Sequence, residues 1–234
     1  MWPLPPWSLR GPGSEAVPKR AASAFSLLNT FVYVDGFNLY YGAVRGTPYQ
    51  WLDIDAMCRR LLPKHTVVRI KYFTARVSAR PDDPHQPTRQ QTLLRALATI
   101  PHLDIIYGHF LTNQVMMPLA GCPPGRQRYV KVIKTEEKGS DVNIATHLLH
   151  DGYRGLYQAA VLITNDSDLM EPVRIVRREL RKIVGILNPH GHASRVLQRE
   201  ASFMKPIRKG ALAASQFPAV LRDRWGEIRK PAVW

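Results

Sequence analysis

Two short apolar runs, one in each half of the chain, end in acidic residues, and this arrangement limits the possible folds more than any other feature. Residues 31–34 are followed by Asp35 and Gly36, and residues 159–163 are followed by Thr-Asn-Asp-Ser-Asp over 164–168. Short runs that are apolar throughout are typical of strands buried on both faces of a parallel sheet. Open sheets of this kind bind ligands at the carboxyl ends of their strands. We therefore expect the acids to gather at one edge of a sheet.

Strand and helix patterns alternate along the chain. Further strands are predicted at 66–73, 103–110 and 182–187, with amphipathic helices between them. Thr88 and Ser140 are predicted to cap two of these helices. Such alternation favours a three-layer α/β/α sandwich with a central, mostly parallel sheet.

The chain of 234 residues is predicted to hold one domain with peripheral extensions. Residues 1–24 are predicted to be a disordered N-terminal extension, and residues 25–208 are predicted to form the domain. Within it, the proline and glycine content of 111–127 predicts a loop insertion, which can pair with the strand-like residues 128–134 as a hairpin. Residues 209–234 read as a tail or a terminal helix, through which a homodimer is a further expectation.

Composition excludes some classes of function and favours a polyanionic partner. Lysine and arginine number 33 against 18 acids, which gives a formal charge of +15. The alternative is a generally basic proteome or a basic, ribosome-associated surface. The two cysteines, Cys58 and Cys122, lack metal-ligand spacing and argue against a disulfide framework or a zinc site. No run approaches the about 20 apolar residues that span a bilayer, so a soluble, cytoplasmic protein without membrane contact is expected.

The candidate site consists of acids with hydroxyl and amide side chains beside them. Asp141 opens a helix, and it joins Asp35, Asp166 and Asp168 as candidate metal ligands. Carboxylates gathered at one point repel one another, and a divalent cation such as Mg²⁺ or Mn²⁺ relieves that repulsion and acts on phosphates. Asn38 is a candidate for holding Asp35, a water or a phosphate, or it only caps a helix. Thr164 and Ser167 are candidates for orienting the carboxylates and for contacting substrate.

Basic side chains between the acidic motifs are candidate substrate contacts. Lys131, Lys134 and Lys138 line the segment that leads to Asp141. The alternative is a solvated strand edge that lysines protect from aggregation. Glu136 or Glu137 can supplement the acids, or both belong to a surface loop. His190 and His192 have no third ligand nearby in sequence and are interpreted as loop residues.

Three motifs resemble those of the NYN domains, nuclease-like members of the PIN superfamily that include the bacterial LabA-like group. They are YVDGFNLY over 33–40, EKGSDV over 137–142 and TNDSDL over 164–169, and the resemblance extends over about 30–208. It implies a PIN-like sandwich that binds Mg²⁺ or Mn²⁺ and cleaves RNA. By motif position it implies that Asp35, Asp141, Asp166 and Asp168 bind metal and that Asn38 is an active-site residue. Asn165 stands where the family often has a small residue such as glycine.

The residues and the resemblance together predict a metal-dependent ribonuclease. Two alternatives remain open at this stage. One is a non-catalytic RNA-binding or scaffold module of the same fold, because a motif does not establish turnover. The other is a metal phosphohydrolase that acts on small nucleotides and needs a closed pocket, and strong salt dependence of binding argues against it.

Overall fold

A parallel sheet of six strands forms the centre of the protein. The computed structural model describes residues 27–121, 125 and 128–233, so the predicted extension over 1–24 and Cys122 lie outside the described residues. The strand order is β3-β2-β1-β6-β7-β8, and every neighbouring pair is parallel. The strands of this sheet are β1 (Leu28–Asp35), β2 (His65–Thr74), β3 (Leu103–Tyr107), β6 (Ala159–Ile163), β7 (Ile183–Asn188) and β8 (Phe203–Pro206).

Helices cover both faces of the sheet. They are α1 (Gly36–Leu39, continued by a π-helical turn, Tyr40–Val44), α2 (Ile54–Leu61), α3 (Gln86–Leu97), α4 (Ser140–Tyr153), α5 (Met170–Arg178, after a 3-10 turn, Ser167–Leu169), α6 (Arg195–Glu200) and α7 (Lys209–Ala213). One apolar core joins the sheet to α2 and α3, for example through Met57 and Leu97. A second core on the opposite face contains Leu148 of α4 and Val176 of α5. The predicted three-layer α/β/α sandwich is confirmed.

Two helix starts differ from the prediction. Helix α3 begins at Gln86, before Thr88, because proline at 87 suits the first turn of a helix, where its missing N–H is not needed. Helix α4 begins at Ser140, so Ser140 is its first residue and the cap position falls on Gly139. Gly139 has φ +98°, a conformation that glycine adopts without the steric cost of a side chain.

The predicted loop insertion at 111–127 is strand over its first part. Strand β4 (His109–Pro118) pairs antiparallel with β5 (Tyr129–Lys138), and the two form a separate two-stranded sheet that we call the hairpin arm. The prolines and glycines that suggested a loop begin at Pro118, where pairing ends. The predicted strand 103–110 is divided at Gly108, where a Cβ atom would lie 2.6 Å from the carbonyl oxygen of Lys138. Only glycine allows the chain to turn from the sheet into the arm so close to β5.

Residues 209–233 are folded against the domain, which corrects both the predicted tail and the predicted terminal helix. After α7 the chain forms a β-hairpin, β9 (Val220–Asp223) with β10 (Gly226–Arg229). Trp51 packs edge-on against Phe217 at 5.7 Å between ring centroids, and its Nε1 donates to the carbonyl oxygen of Pro218 at 2.8 Å. The domain therefore extends well beyond the predicted boundary at 208. The homodimer through this segment stays a prediction.

No helix in the described part of the chain is both long and apolar enough to cross a bilayer. The cytoplasmic location stays a prediction.

Candidate active site

The acidic motifs meet where the direction of the strand order reverses. From β1 the chain builds β2 and β3 on one side, whereas β6, β7 and β8 extend the sheet on the other side. Such a reversal leaves a crevice at the carboxyl ends of the two central strands. Val34 and Ile163 are partners in the parallel register of β1 and β6. The next residues, Asp35 and Thr164, consequently lie side by side, and the Thr164 hydroxyl donates to Asp35 Oδ2 at 3.2 Å.

Asp35 is a buried carboxylate with fixed orientation. Only 6% of its surface is exposed. The backbone N–H of Asn38 donates to Asp35 Oδ1 at 2.9 Å, so the carboxylate caps α1. Burial, and to a lesser degree the charges of Asp141 and Asp166, raise the pKa of Asp35 to about 6, although the hydrogen bonds from Asn38 and Thr164 oppose the shift. Among the described residues, no lysine, arginine or histidine side chain forms an ion pair with this carboxylate.

The other acids share one electrostatic environment with Asp35. Partial desolvation and then the charges of Asp166, Glu137 and Asp168 raise the pKa of Asp141. Asp166 Oδ1 accepts a hydrogen bond from the backbone N–H of Asp168 at 3.0 Å, which holds the turn before α5. The acid cluster is therefore Asp35, Asp141, Asp166 and Asp168, with Glu137 beside it.

Of the two candidate glutamates, Glu137 belongs to the site and Glu136 does not. Glu137 Oε1 accepts from the Ser140 hydroxyl at 2.8 Å, at the start of α4. Glu136 pairs instead with Lys134 at 2.5 Å and Lys138 at 3.3 Å on the hairpin arm. The two glutamates are neighbours in a strand, and neighbours in a strand point to opposite faces.

The predicted substrate contacts are less closely connected to the acids. Within residues 27–121 and 128–233, none of Lys131, Lys134 and Lys138 forms an ion pair with the acid cluster. Lys134 and Lys138 form ion pairs with Glu136. Lys131 is exposed on the hairpin arm, where it is the register partner of Met116 in β4. Ser167 is exposed, and the structure shows no hydrogen bond from its hydroxyl to a carboxylate in the described part of the chain. Thr164 alone performs the predicted orienting role.

Asn38 ties the motif after β1 to two other loops. Its Oδ1 accepts from the backbone N–H of Asn165 at 2.9 Å and lies 3.1 Å from His190 Nε2. Gly42 makes room for this contact, since a Cβ atom there would lie 2.7 Å from the His190 ring. His190 lies in a loop, as predicted, but its contact with Asn38 beside the acid cluster was not predicted. Its partner Asn38 is 152 positions away, and no local pattern signals a contact over that separation.

Asn165, where the chain departs from the family pattern, forms hydrogen bonds to the loop after β7. Its Nδ2 donates to the carbonyl oxygen of His192 at 3.0 Å, and its Oδ1 accepts from the backbone N–H of Ser194 at 2.7 Å. A glycine could make neither hydrogen bond. The side chain at 165 therefore fixes the loop that carries His190 towards Asn38.

The carboxylate oxygens of the acid cluster are the type of ligand that a hard divalent cation binds. Carboxylate oxygens are the ligands that Mg²⁺ and Mn²⁺ prefer, and the mutual repulsion of the acids is what a cation relieves. Across the described residues, however, no three His, Cys, Asp or Glu side chains are already arranged around one ion position. Mg²⁺ commonly binds through one or two carboxylates and keeps several waters. The predicted ligand set of four acids is accordingly not preformed, while a site of fewer direct ligands fits the cluster.

Comparisons with known proteins found a matching family model and similar proteins. The chain matches the family model described as NYN domain over residues 29–207. It is 32% identical over 237 aligned positions to 6-hydroxy-3-succinoylpyridine 3-monooxygenase HspA of Pseudomonas putida, covering 88% of this chain and 75% of that protein. A crystal structure of a protein of unknown function from Vibrio parahaemolyticus superposes with a TM-score of 0.49 and 16% identity, over 84% of this chain and all of that one. The chain therefore belongs to the NYN domain family, with its nuclease-like PIN fold.

Proposed function

We propose that this protein is a metal-dependent ribonuclease that hydrolyses RNA phosphodiester bonds at the acid cluster. The observation that carries the proposal is the buried Asp35, coupled to Asp141 and Asp166 at the reversal of the strand order. An uncompensated group of acids in a chain of formal charge +15 suits an enzyme that binds a cation locally and a polyanion overall. The preference for RNA over DNA rests on the resemblance of the motifs to NYN domains.

Each residue of the site has a defined part in the proposed reaction. One or two of Asp35, Asp141 and Asp166 would bind Mg²⁺ or Mn²⁺ directly and the remaining acids would contact its waters, with Asp168 at the exposed side. The cation would supply positive charge to the phosphate oxygens and acidify an attacking water. Thr164 and the backbone N–H of Asn38 keep the Asp35 carboxylate in one orientation. The Asn38 side chain holds the loops that contain Asn165 and His190 around it.

Cleavage of labelled single-stranded RNA in Mg²⁺ or Mn²⁺ tests this function. We expect cleavage by the wild type, and we expect it to be lost in EDTA and in Asp166→Asn. Asp104→Asn is the matched control, because Asp104 pairs with Arg69 on the surface, away from the acid cluster. RNA that is bound but not cleaved, with binding unaffected by Asp166→Asn, would instead indicate a non-catalytic RNA-binding module.

A second candidate follows from the relative whose name is that of a monooxygenase of a pyridine compound. Oxygenation of a heteroaromatic ring uses O₂ and a two-electron reductant, and it needs a pocket for the ring. The observation that favours it is a small cavity whose wall includes Gly36, the residue after Asp35, and the aromatic side chains of Tyr40 and Tyr72. Oxygen uptake that requires both a hydroxypyridine and a nicotinamide reductant would support this candidate, and RNA cleavage lost in Asp166→Asn would support the first.

A further inference from the structure

A cavity of about 90 Å³ lies between the motif after β1, the end of β2 and helix α3. Gly36 and Thr74 bring it to the edge of the sheet where the acid cluster lies. Its remaining wall is largely apolar and includes Leu39, Val44, Leu93 and Leu97. Binding pockets for small molecules are usually of this kind, apolar with a few polar groups that fix orientation.

The polar side chains that line this cavity differ in whether they have hydrogen-bond partners. Gln86 Oε1 is buried and has no hydrogen-bond partner among the described residues. Gln90, one turn further along α3, has both of its groups in use: Oε1 accepts from Val77 N and Nε2 donates to the carbonyl oxygen of Ala75, both at 2.9 Å. Arg89 is paired with Asp83. A buried acceptor without a donor is uncommon in folded proteins, and it points to a ligand or a water that supplies one.

Tyr72 supplies a donor in the same cavity wall. Its hydroxyl lies close to Gly36, where a Cβ atom would be 2.9 Å from the oxygen. Burial and the charge of Asp35 both raise the pKa of Tyr72, so the phenol is neutral at physiological pH and able to donate. The wall thus contains one unused acceptor, Gln86, and one neutral phenol, Tyr72.

The size and the walls of the cavity suit a small planar molecule. A volume of about 90 Å³ holds about six water-sized groups, which is the scale of a small ring compound. Tyr40 and Tyr41, which pack edge-on at 5.2 Å between ring centroids, both line the cavity. Aromatic walls favour a planar occupant.

We infer that this cavity binds a planar six-membered heterocycle that carries an N–H next to a ring carbonyl. The N–H donates to Gln86 Oε1, and the carbonyl accepts from the donors of the wall, of which Tyr72 is the neutral one. Two sources offer this lactam chemistry: a uracil base within a polynucleotide and a free pyridone. The inference concerns binding alone, and it holds whether the acid cluster cleaves RNA or not.

Ligand-observed NMR with the full chain in EDTA tests the inference, with 2-pyridone as the probe. We expect saturable binding of 2-pyridone and binding about ten-fold or more weaker for N-methyl-2-pyridone, which has no N–H for Gln86. Gln86→Leu should weaken 2-pyridone binding by a similar factor. The matched control is Gln198→Leu, which makes the same change at an exposed glutamine of α6 outside the cavity and should bind as the wild type does.

Two further measurements keep the result interpretable. Gln86→Glu retains an acceptor at the same position and should retain binding, which separates the loss of the acceptor from a loss of folding. Displacement of 2-pyridone by oligouridylate would identify the base of a nucleic acid as the natural source, and failure to displace it would identify a free heterocycle. Absence of saturable binding in the millimolar range, or equal binding by Gln86→Leu, would overturn the inference. Because no cation and no cleavage enter the measurement, failure of the proposed nuclease reaction would leave the 2-pyridone result unchanged.

Discussion

At the scale of single residues, the buried carboxylate of Asp35 in the acid cluster lowers the stability of the fold at neutral pH. Its folded-state pKa of about 6 lies above the ordinary value of 3.8. The folded protein therefore binds more protons than the unfolded chain between about pH 4 and pH 6, and stability falls as pH rises through that window. Above it, the buried charge remains an unfavourable contribution of about 3 kcal/mol at most.

Asp35→Asn should therefore stabilise the protein while it removes cleavage. At pH 7.5 in EDTA, we expect the free energy of unfolding to rise by about 1–3 kcal/mol, because asparagine retains an acceptor for Asn38 N without the charge. The measurement is urea unfolding followed by circular dichroism. Below about pH 4 the difference should vanish, since Asp35 is then neutral in both states. A destabilised variant at pH 7.5 would contradict the assigned environment.

A second buried charge belongs to a hydrogen-bonded network between the central sheet and helix α4. Asp151 Oδ2 accepts from Lys71 Nζ at 2.5 Å and from the Tyr33 hydroxyl at 2.8 Å. Lys71 Nζ also lies 3.1 Å from His147 Nδ1. The side chains of Lys71 and Asp151 are only 12% and 4% exposed. This network joins β1, β2 and α4, and it takes no part in the acid cluster.

Asp151→Asn should be strongly destabilising, because it leaves the Lys71 ammonium buried without a countercharge. We expect a loss of about 3–5 kcal/mol in the free energy of unfolding, measured in urea at neutral pH. Glu171→Gln provides the comparison, since Glu171 pairs with Arg174 on the surface and should cost less than about 1 kcal/mol. Equal losses from the two substitutions would show that the buried network contributes no more to the free energy of unfolding than a surface ion pair does.

At the scale of elements, the hairpin arm lies outside the central sheet. Among the described residues, its two strands pair with each other and with no strand of the central sheet. The packing of Phe110 on Phe37, with ring centroids 5.6 Å apart, anchors its base beside Asp35. Exposed apolar side chains such as Met116 and Ile133 lie along it, together with the exposed lysines of β5. Under the proposed function, an extended arm of this kind beside the acid cluster suits contact with a long RNA.

Shortening the arm should separate folding from RNA binding. Replacing residues 114–133 by Asn-Gly joins Asn113 to Lys134, which are opposite each other in the hairpin, through a favoured two-residue turn. We expect a change of about 1 kcal/mol or less in stability, because the anchor at Phe110 remains. RNA affinity, measured by fluorescence anisotropy, should fall.

The intact arm with Arg126→Gln, Arg128→Gln and Lys131→Gln is the control for charge, because the shortened protein lacks these three cations. A similar loss of affinity in that variant would assign the effect to the three cations, and a smaller loss would assign it to the shape of the arm. Unchanged affinity in the shortened protein would exclude the arm from substrate contact.

At the scale of the whole molecule, the formal charge of +15 governs long-range attraction. We expect the logarithm of the RNA association constant to fall linearly with the logarithm of salt concentration, by about 0.7 for each phosphate contact on a single strand. Anisotropy titrations of an oligouridylate from low to physiological salt measure this slope. A slope near zero would favour the alternative of a small-nucleotide phosphohydrolase.

Much of the sheet could be predicted because its signal is local. An apolar run such as 159–163 forms a strand buried on both faces, and the acids after it fall at the sheet edge by chain continuity alone. The sequence therefore determined the α/β/α class and the set of acids at the strand ends. It could not determine that Glu137 joins the acids while Glu136 pairs with lysines, because that choice depends on the face that each side chain occupies in β5.

Only the tertiary structure decided the contacts between distant segments. The packing of Phe217 on Trp51 folds the C-terminal residues onto the domain, and His190 reaches Asn38 across 152 positions. The cavity likewise combines Gly36, Tyr72 and Gln86, which belong to three different elements. Periodicity records only which face of an element is apolar, whereas these contacts depend on how the elements pack against one another. The sequence by itself thus determined the strands and their acids, and the packing of the chain decided what surrounds them.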